Sequence, residues 1–185
     1  MKVSLLEAIA DAIMHYEGWN AASRSYRNRN PGNLRATKHD QEQDAEGYRV
    51  FPCLEVGFSM LVHDLTCKVS GRNSHHLDRH STLLDVFKVY APEGDKNHPV
   101  AYAAFVANWL RVVYGVAEIY STNTLEEIFQ IVGQEVPDGV ATAGNPGAVP
   151  GSVAKVPADG VDGGDGAAGA DLPADPASVG GEPGS

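Results

Sequence analysis

The chain has no apolar run near the roughly 20 residues that a bilayer crossing needs, which argues against a helical membrane span. It has only two cysteines, Cys53 and Cys67, among 185 residues. Two thiols make no disulfide framework, so both are expected free and partly buried. Basic charge is also short: 14 Lys and Arg stand against 24 Asp and Glu, a net charge of -10. That balance argues against non-specific nucleic-acid binding, which depends on a basic surface. Nor does the N-terminus read as a secretory signal, because Lys2 leads into a helical pattern broken by Glu7 and Asp11 rather than a continuous apolar core.

Aromatic residues are missing altogether from 137–185, which instead hold 12 of the 20 glycines and seven of the 11 prolines. A segment of that composition cannot bury enough apolar surface to offset the entropy of ordering it, and is expected to be a disordered acidic tail. It carries seven acids against Lys155, so the remaining residues are nearly balanced, with 17 acids and 13 bases. The expected organisation is therefore one folded domain over 1–136 and a Gly/Ala/Pro-rich tail over 137–185.

Within the folded part, Ser4-Leu5-Leu6-Glu7 reads as a capping box that opens a helix. Its apolar stripe runs through Leu6, Ala10 and Ile13, and four residues further on it reaches Glu17. Gly18 is a suitable C-terminal stop. Residues 19–35 look irregular, and the polar stretch that follows ends in alternation around Tyr48, Val50 and Phe51, as in a small β-hairpin. Helical patterns cover 54–69, a segment capped by Ser81 and stopped by Pro92, a segment opened by Pro99, and a last one opened by Thr124 and Glu127. Five helices and one short β element make a mainly helical α+β domain.

Glu17 is the unusual residue. An acid on an apolar stripe between Tyr16 and Trp19 is desolvated, and at a helix C-terminus it meets the negative end of the dipole. Both influences favour a carboxyl that keeps its proton near neutrality, as glycosidic bond cleavage requires of a general acid. The alternative is a buried ion pair with one of Arg24, Arg27, Arg29 or Arg35 that merely anchors the loop.

The string "EGW" at a helix end, then "NRNPGNLR", then "GYRVFPCLEVG" and "YAPEGDKNHPVAY" together resemble the lysozyme-like superfamily. The likeness is greater to bacteriophage muramidase or lytic-transglycosylase-like domains, and it spans Ile9 to Trp109. The resemblance implies a lysozyme-like fold with Glu17 as the catalytic acid. It also implies that Asn30, Pro31, Gly32, Asn33 and Leu34 shape the floor beside it, and that Phe51 and Gly57 are structural. Tyr90, Ala91 and Pro92, with Asn97 and Tyr102, would line the opposite wall of a glycan cleft. Asn30, Asn33, Tyr48, Tyr90, Asn97 and Tyr102 are accordingly the expected substrate contacts, although helix-period packing also accounts for Tyr90, Tyr102 and Trp109.

A second carboxylate would come from Asp40, Glu42, Asp44 or Glu46, with Asp44 nearest the expected strand. Without one, a lone Glu17 suggests the transglycosylase route, in which the substrate's own C6 hydroxyl attacks. His75, His76 and His80 lack the pattern of a zinc site, and no metal or cofactor is implied. The expected partner is peptidoglycan, reached as part of a phage particle, alongside other virion proteins, or after release to the wall. The rival expectation is a non-catalytic virion or glycan-binding protein of the same fold.

Overall fold

A computed structural model describes residues 3–37, 41–93 and 97–137. The expected tail, apart from Pro137, lies outside the described residues, as do Asp40 and part of the "EGDKN" loop. The described chain is mainly helical.

The first helix, α1 (Leu5–Tyr16), begins where its chemistry says it should. The Ser4 side chain accepts from the Glu7 N–H while the Glu7 carboxylate accepts from the Ser4 N–H, satisfying two otherwise orphaned donors. Leu5, Leu6, Ile9 and Ile13 face the core and are at most 6 % exposed. Burying each contributes about 1.5–3 kcal/mol relative to leaving it in water, so this stripe, rather than helix propensity, fixes α1 in place. The helix stops at Glu17, followed by Gly18 at φ 68°, a left-handed conformation that glycine adopts without penalty.

A four-residue helix, α2 (Arg24–Arg27), follows in a stretch expected to be irregular. Ser23 starts it by accepting from the Tyr26 N–H, an N-cap signal too short to imply a helix from sequence alone. The next helices are α3 (Leu54–Val69), α4 (Leu83–Tyr90), α5 (Pro99–Tyr114) and α6 (Leu125–Val132). Helix α4 is capped by Thr82 with Asp85, not by Ser81 as expected. The Ser81 hydroxyl instead donates to the Asp78 carboxylate and accepts from the Asp78 N–H, closing the preceding turn. Pro99 opens α5, and Thr124 with Glu127 caps α6, as the sequence suggests. Helix α5 is the hub, packing on both α1 and α4, while α1 also packs on α3.

Among the described residues the expected hairpin is reduced to isolated antiparallel bridges, Arg35 to Tyr48 and Gln43 to Arg49. Residues 47–50 form the middle of this ribbon. The Arg49 N–H donates to Leu34 on one side, and the Val50 N–H donates to Glu42 on the other. Phe51 then turns into α3, its N–H donating to the Asn28 carbonyl. Gly57 in α3 presses on this junction: a Cβ there would fall 1.9 Å from the Arg29 carbonyl oxygen. Both cysteines are free thiols, Cys67 buried and Cys53 partly so. Among the described residues no helix is long and apolar enough to cross a membrane.

Candidate active site

Glu17 ends α1 and is 7 % exposed, pointing toward the core as the stripe foretells. Two of the groups that hold it are neutral. The Asn33 side-chain amide donates to Oε2 at 2.7 Å, and the Tyr102 hydroxyl donates to Oε1 at 2.9 Å. The three residues come from the end of α1, from the Asn30–Asn33 turn and from α5. The carboxyl is thus tied to elements 16 and 85 positions away in sequence.

Each partner is itself fixed. Tyr102 is fully buried, its ring stacked on Tyr16 at 3.8 Å and on Phe87 at 4.4 Å between centroids. Burial, first, and then the charge of Glu17 push its hydroxyl well above the usual tyrosine range. Tyr90, also fully buried, donates to the Gly32 carbonyl and so pins the turn that carries Asn33. The approach is close enough that a Cβ on Gly32 would lie 2.6 Å from that hydroxyl, which explains why the turn has no side chain there. Asn30 fastens the same turn, donating to the Leu34 and Arg49 carbonyls and accepting from the Leu34 N–H.

Asn33 has φ 47°, left-handed backbone that asparagine tolerates better than most residues. It is 5 % exposed, and its Oδ1 is buried with no hydrogen-bond partner. An unsatisfied buried acceptor costs about 1–3 kcal/mol. An orphaned acceptor beside a buried carboxyl marks this turn as a candidate functional site.

The expected second carboxylate, Asp44, is bonded into its own turn. Asp44 Oδ1 accepts from the Glu46 and Tyr48 N–H groups, and Oδ2 accepts from Asn28 at 2.6 Å, with Arg24 at 4.0 Å. Partial burial pulls its carboxyl upward, but these donors and the Arg24 charge outweigh it and hold the group below the usual aspartate range. Asp44 therefore organises its turn. Glu46 is exposed and pairs with Arg24 at 2.6 Å, Glu42 is exposed, and Asp40 lies outside the described residues.

The six expected substrate contacts also need correction as surface groups. Asn30, Asn33, Tyr48, Tyr90, Asn97 and Tyr102 are each no more than 5 % exposed. The guanidinium groups of Arg24 and Arg35 both lie over the Tyr48 ring, 4.1 and 4.5 Å from its centroid. Of the six, Asn33 and Tyr102 bond to Glu17, and all are buried rather than open to solvent. Arg27 and Arg29, read as possible partners of Glu17, donate to the Ala22 and Phe51 carbonyls. Sequence reasoning missed Asn28, which holds Asp44, and the contact between Tyr90 and Gly32. Both are long-range, with no local pattern to announce them. His75 and His76 are exposed, and His80 sits 3.2 Å from Glu126. No group of three or more His, Cys, Asp or Glu gathers to hold a metal among the described residues.

Comparison with protein-family models, curated proteins and solved structures finds no match to this chain.

Proposed function

We propose that this chain is a peptidoglycan-degrading glycosidase that cleaves the β-1,4 bond between N-acetylmuramic acid and N-acetylglucosamine, with Glu17 as general acid. One observation carries the reading: a buried carboxyl at a helix end, gripped by the neutral donors Asn33 and Tyr102, beside an amide oxygen left without a partner. Two fixed donors, Asn33 and Tyr102, orient the carboxyl. A phenol hydroxyl can donate to a carboxylate or turn to accept from a carboxylic acid, so Tyr102 can serve both states of an acid/base cycle. The lysozyme-like resemblance of the surrounding motifs supplies the substrate class.

Because Asp44 is committed to its turn, the single-acid route is favoured. Glu17 gives its proton to the glycosidic oxygen as the bond to the muramyl C1 breaks. It then takes the proton of the muramyl C6 hydroxyl as that oxygen bonds to C1, leaving a 1,6-anhydro end. Attack by water instead would leave a reducing muramic end and make the enzyme a muramidase. A phage-encoded, virion-associated setting, with the acidic C-terminal segment as tether, is part of the same proposal.

The second reading is a non-catalytic virion or glycan-binding protein of lysozyme-like fold, which the burial of Glu17 and of the six expected substrate contacts favours. Mass spectrometry of soluble products from purified peptidoglycan separates the two, with Glu17→Gln as control. Anhydro-ended muropeptides that vanish in the variant support the single-acid enzyme, and reducing ends support the muramidase. No products on several wall types, or equal activity in Glu17→Gln, leaves the non-catalytic reading in front.

A further inference from the structure

The segment just after Glu17 carries two aromatic rings that the core does not use. Trp19 is only partly buried and Tyr26 is 47 % exposed, and their rings lie 5.2 Å apart at 57°. The backbone between them is tightly laced. The Trp19 N–H donates to the Met14 carbonyl at 3.3 Å, and the Asn20 side chain donates to the Gly18 carbonyl. Asn20 Oδ1 accepts from the Ala22 N–H at 3.0 Å, and Ser23 caps α2, which bears Tyr26. Polar contacts of this density hold the loop without help from either ring. Large aromatic side chains left partly in water on a rigid loop are a surface built for a ligand.

We infer that Trp19 and Tyr26 form a stacking platform for a pyranose ring of the glycan, placed two residues from the candidate acid. This deepens the proposed function and rests on it. A pyranose offers a flat face of C–H groups for an aromatic ring to cover, and a polar edge that stays hydrated. A half-exposed, tilted aromatic pair suits that occupant. The platform adjoins the helix end that bears Glu17, so a sugar seated there holds a strand against the site, and Gly18 alone separates the acid from the indole. The binding contacts that Tyr90 and Tyr102 are too buried to make thereby fall to the residues that flank Glu17 on its C-terminal side.

The chain has two tryptophans, so Trp109→Phe in the full-length protein leaves Trp19 as the only indole reporter. Phe at 109 keeps an aromatic ring against Phe105 and His15 and loses an indole N–H that has no partner. Titration with tetra-N-acetylchitotetraose is expected to shift Trp19 emission saturably. Tyr26→Ala should weaken that binding about three- to tenfold, the range of one aromatic contact. In the wall-digestion assay, Trp19→Ala should raise KM with little loss of kcat, and Trp19→Phe should restore most of the affinity. Circular dichroism confirms that each variant is folded. Binding or digestion that is unchanged in both Trp19→Ala and Tyr26→Ala overturns the platform while leaving the glycosidase reading intact. Concentration-dependent dimers seen by light scattering and abolished by Trp19→Ala assign the surface to a second copy and also overturn it. No binding and no products from the unaltered chain sink the glycan reading, and this inference with it.

Discussion

Tyr102→Phe removes one oxygen from the centre of the structure and little else. The ring keeps its stacking on Tyr16 and Phe87, and the site is fully buried, so no water can replace the lost donor without rearrangement. What disappears is the 2.9 Å bond to Glu17 Oε1. A hydrogen bond to a charged acceptor is worth about 1.5–3 kcal/mol, and one between neutral groups about 1. The size of the loss therefore reports which state of Glu17 the hydroxyl serves. Urea unfolding at neutral pH measures it, with Tyr90→Phe, which loses a bond to the uncharged Gly32 carbonyl, as the neutral standard. A loss clearly larger for Tyr102→Phe means an ionised partner, and equal losses mean a protonated one. Combining Tyr102→Phe with Glu17→Gln completes a double-mutant cycle, which should show coupling above about 0.5 kcal/mol. Turnover should fall about 10- to 100-fold, as expected when an acid is displaced rather than removed. Additive effects in the cycle, together with full activity in Tyr102→Phe, would refute the claim that Tyr102 positions Glu17.

Three other outcomes follow from the same contacts. Asp44→Asn should cost about 1–2 kcal/mol through its turn yet change turnover less than tenfold, whereas a hundredfold loss would make Asp44 a catalytic group after all. Since the folded protein holds the Asp44 carboxyl below its ordinary value, its contribution is present above about pH 4 and is lost as pH falls through the folded value. Acid unfolding of Asp44→Asn should accordingly be less steep. Gly57→Ala places a methyl group 1.9 Å from the Arg29 carbonyl inside a packed junction, and should destabilise by about 3 kcal/mol or more in thermal melts. Wild-type stability within 0.5 kcal/mol would show that α3 does not press on this turn. Tyr90 and Tyr102 are both raised well above the usual tyrosine value, so their neutral forms stabilise the fold below about pH 10, and that support is lost as pH climbs further. Absorbance near 295 nm and circular dichroism should therefore show these two tyrosines ionising only as helix is lost. Titration of all seven tyrosines with helicity intact would contradict their burial.

Much of the helical frame was legible because its signals are local. Ser4 with Glu7, Thr124 with Glu127 and Pro99 each declare a helix start within four residues, and α3 has the bounds its pattern suggests. Glu17 was legible for the same reason, since its place on the stripe is a matter of counting by three and four. Its partners were named only as neighbours of a cleft. Whether Tyr102 faces ligand or carboxyl depends on how α5 meets α1, which no local pattern encodes. Asp44 was legible only as an acid near a strand, and such an acid looks the same whether its oxygens meet a substrate or, as here, two N–H groups of its own loop and the Asn28 amide. The hairpin expectation weakened into bridges among the described residues, where Arg24 and Arg35 also stack on Tyr48.

The two ends of the described domain are fastened to each other. The Leu5 N–H donates to the Gln134 side chain, whose amide donates to the Val3 carbonyl, and the Tyr114 hydroxyl donates to that same carbonyl. This knot sits at the start of α1, while Glu17 sits at its finish, 12 helical residues or about 18 Å along the axis. The terminal knot and the Glu17 carboxyl therefore lie at opposite ends of one rod. Cargo joined to residue 3 or residue 134, whether a fluorescent protein, a surface linker or a capsid component, is held away from the carboxyl by the length of α1. Joining those ends by a short linker and opening the chain in an exposed loop such as 74–76 should give a circular permutant with Glu17 and its grip undisturbed.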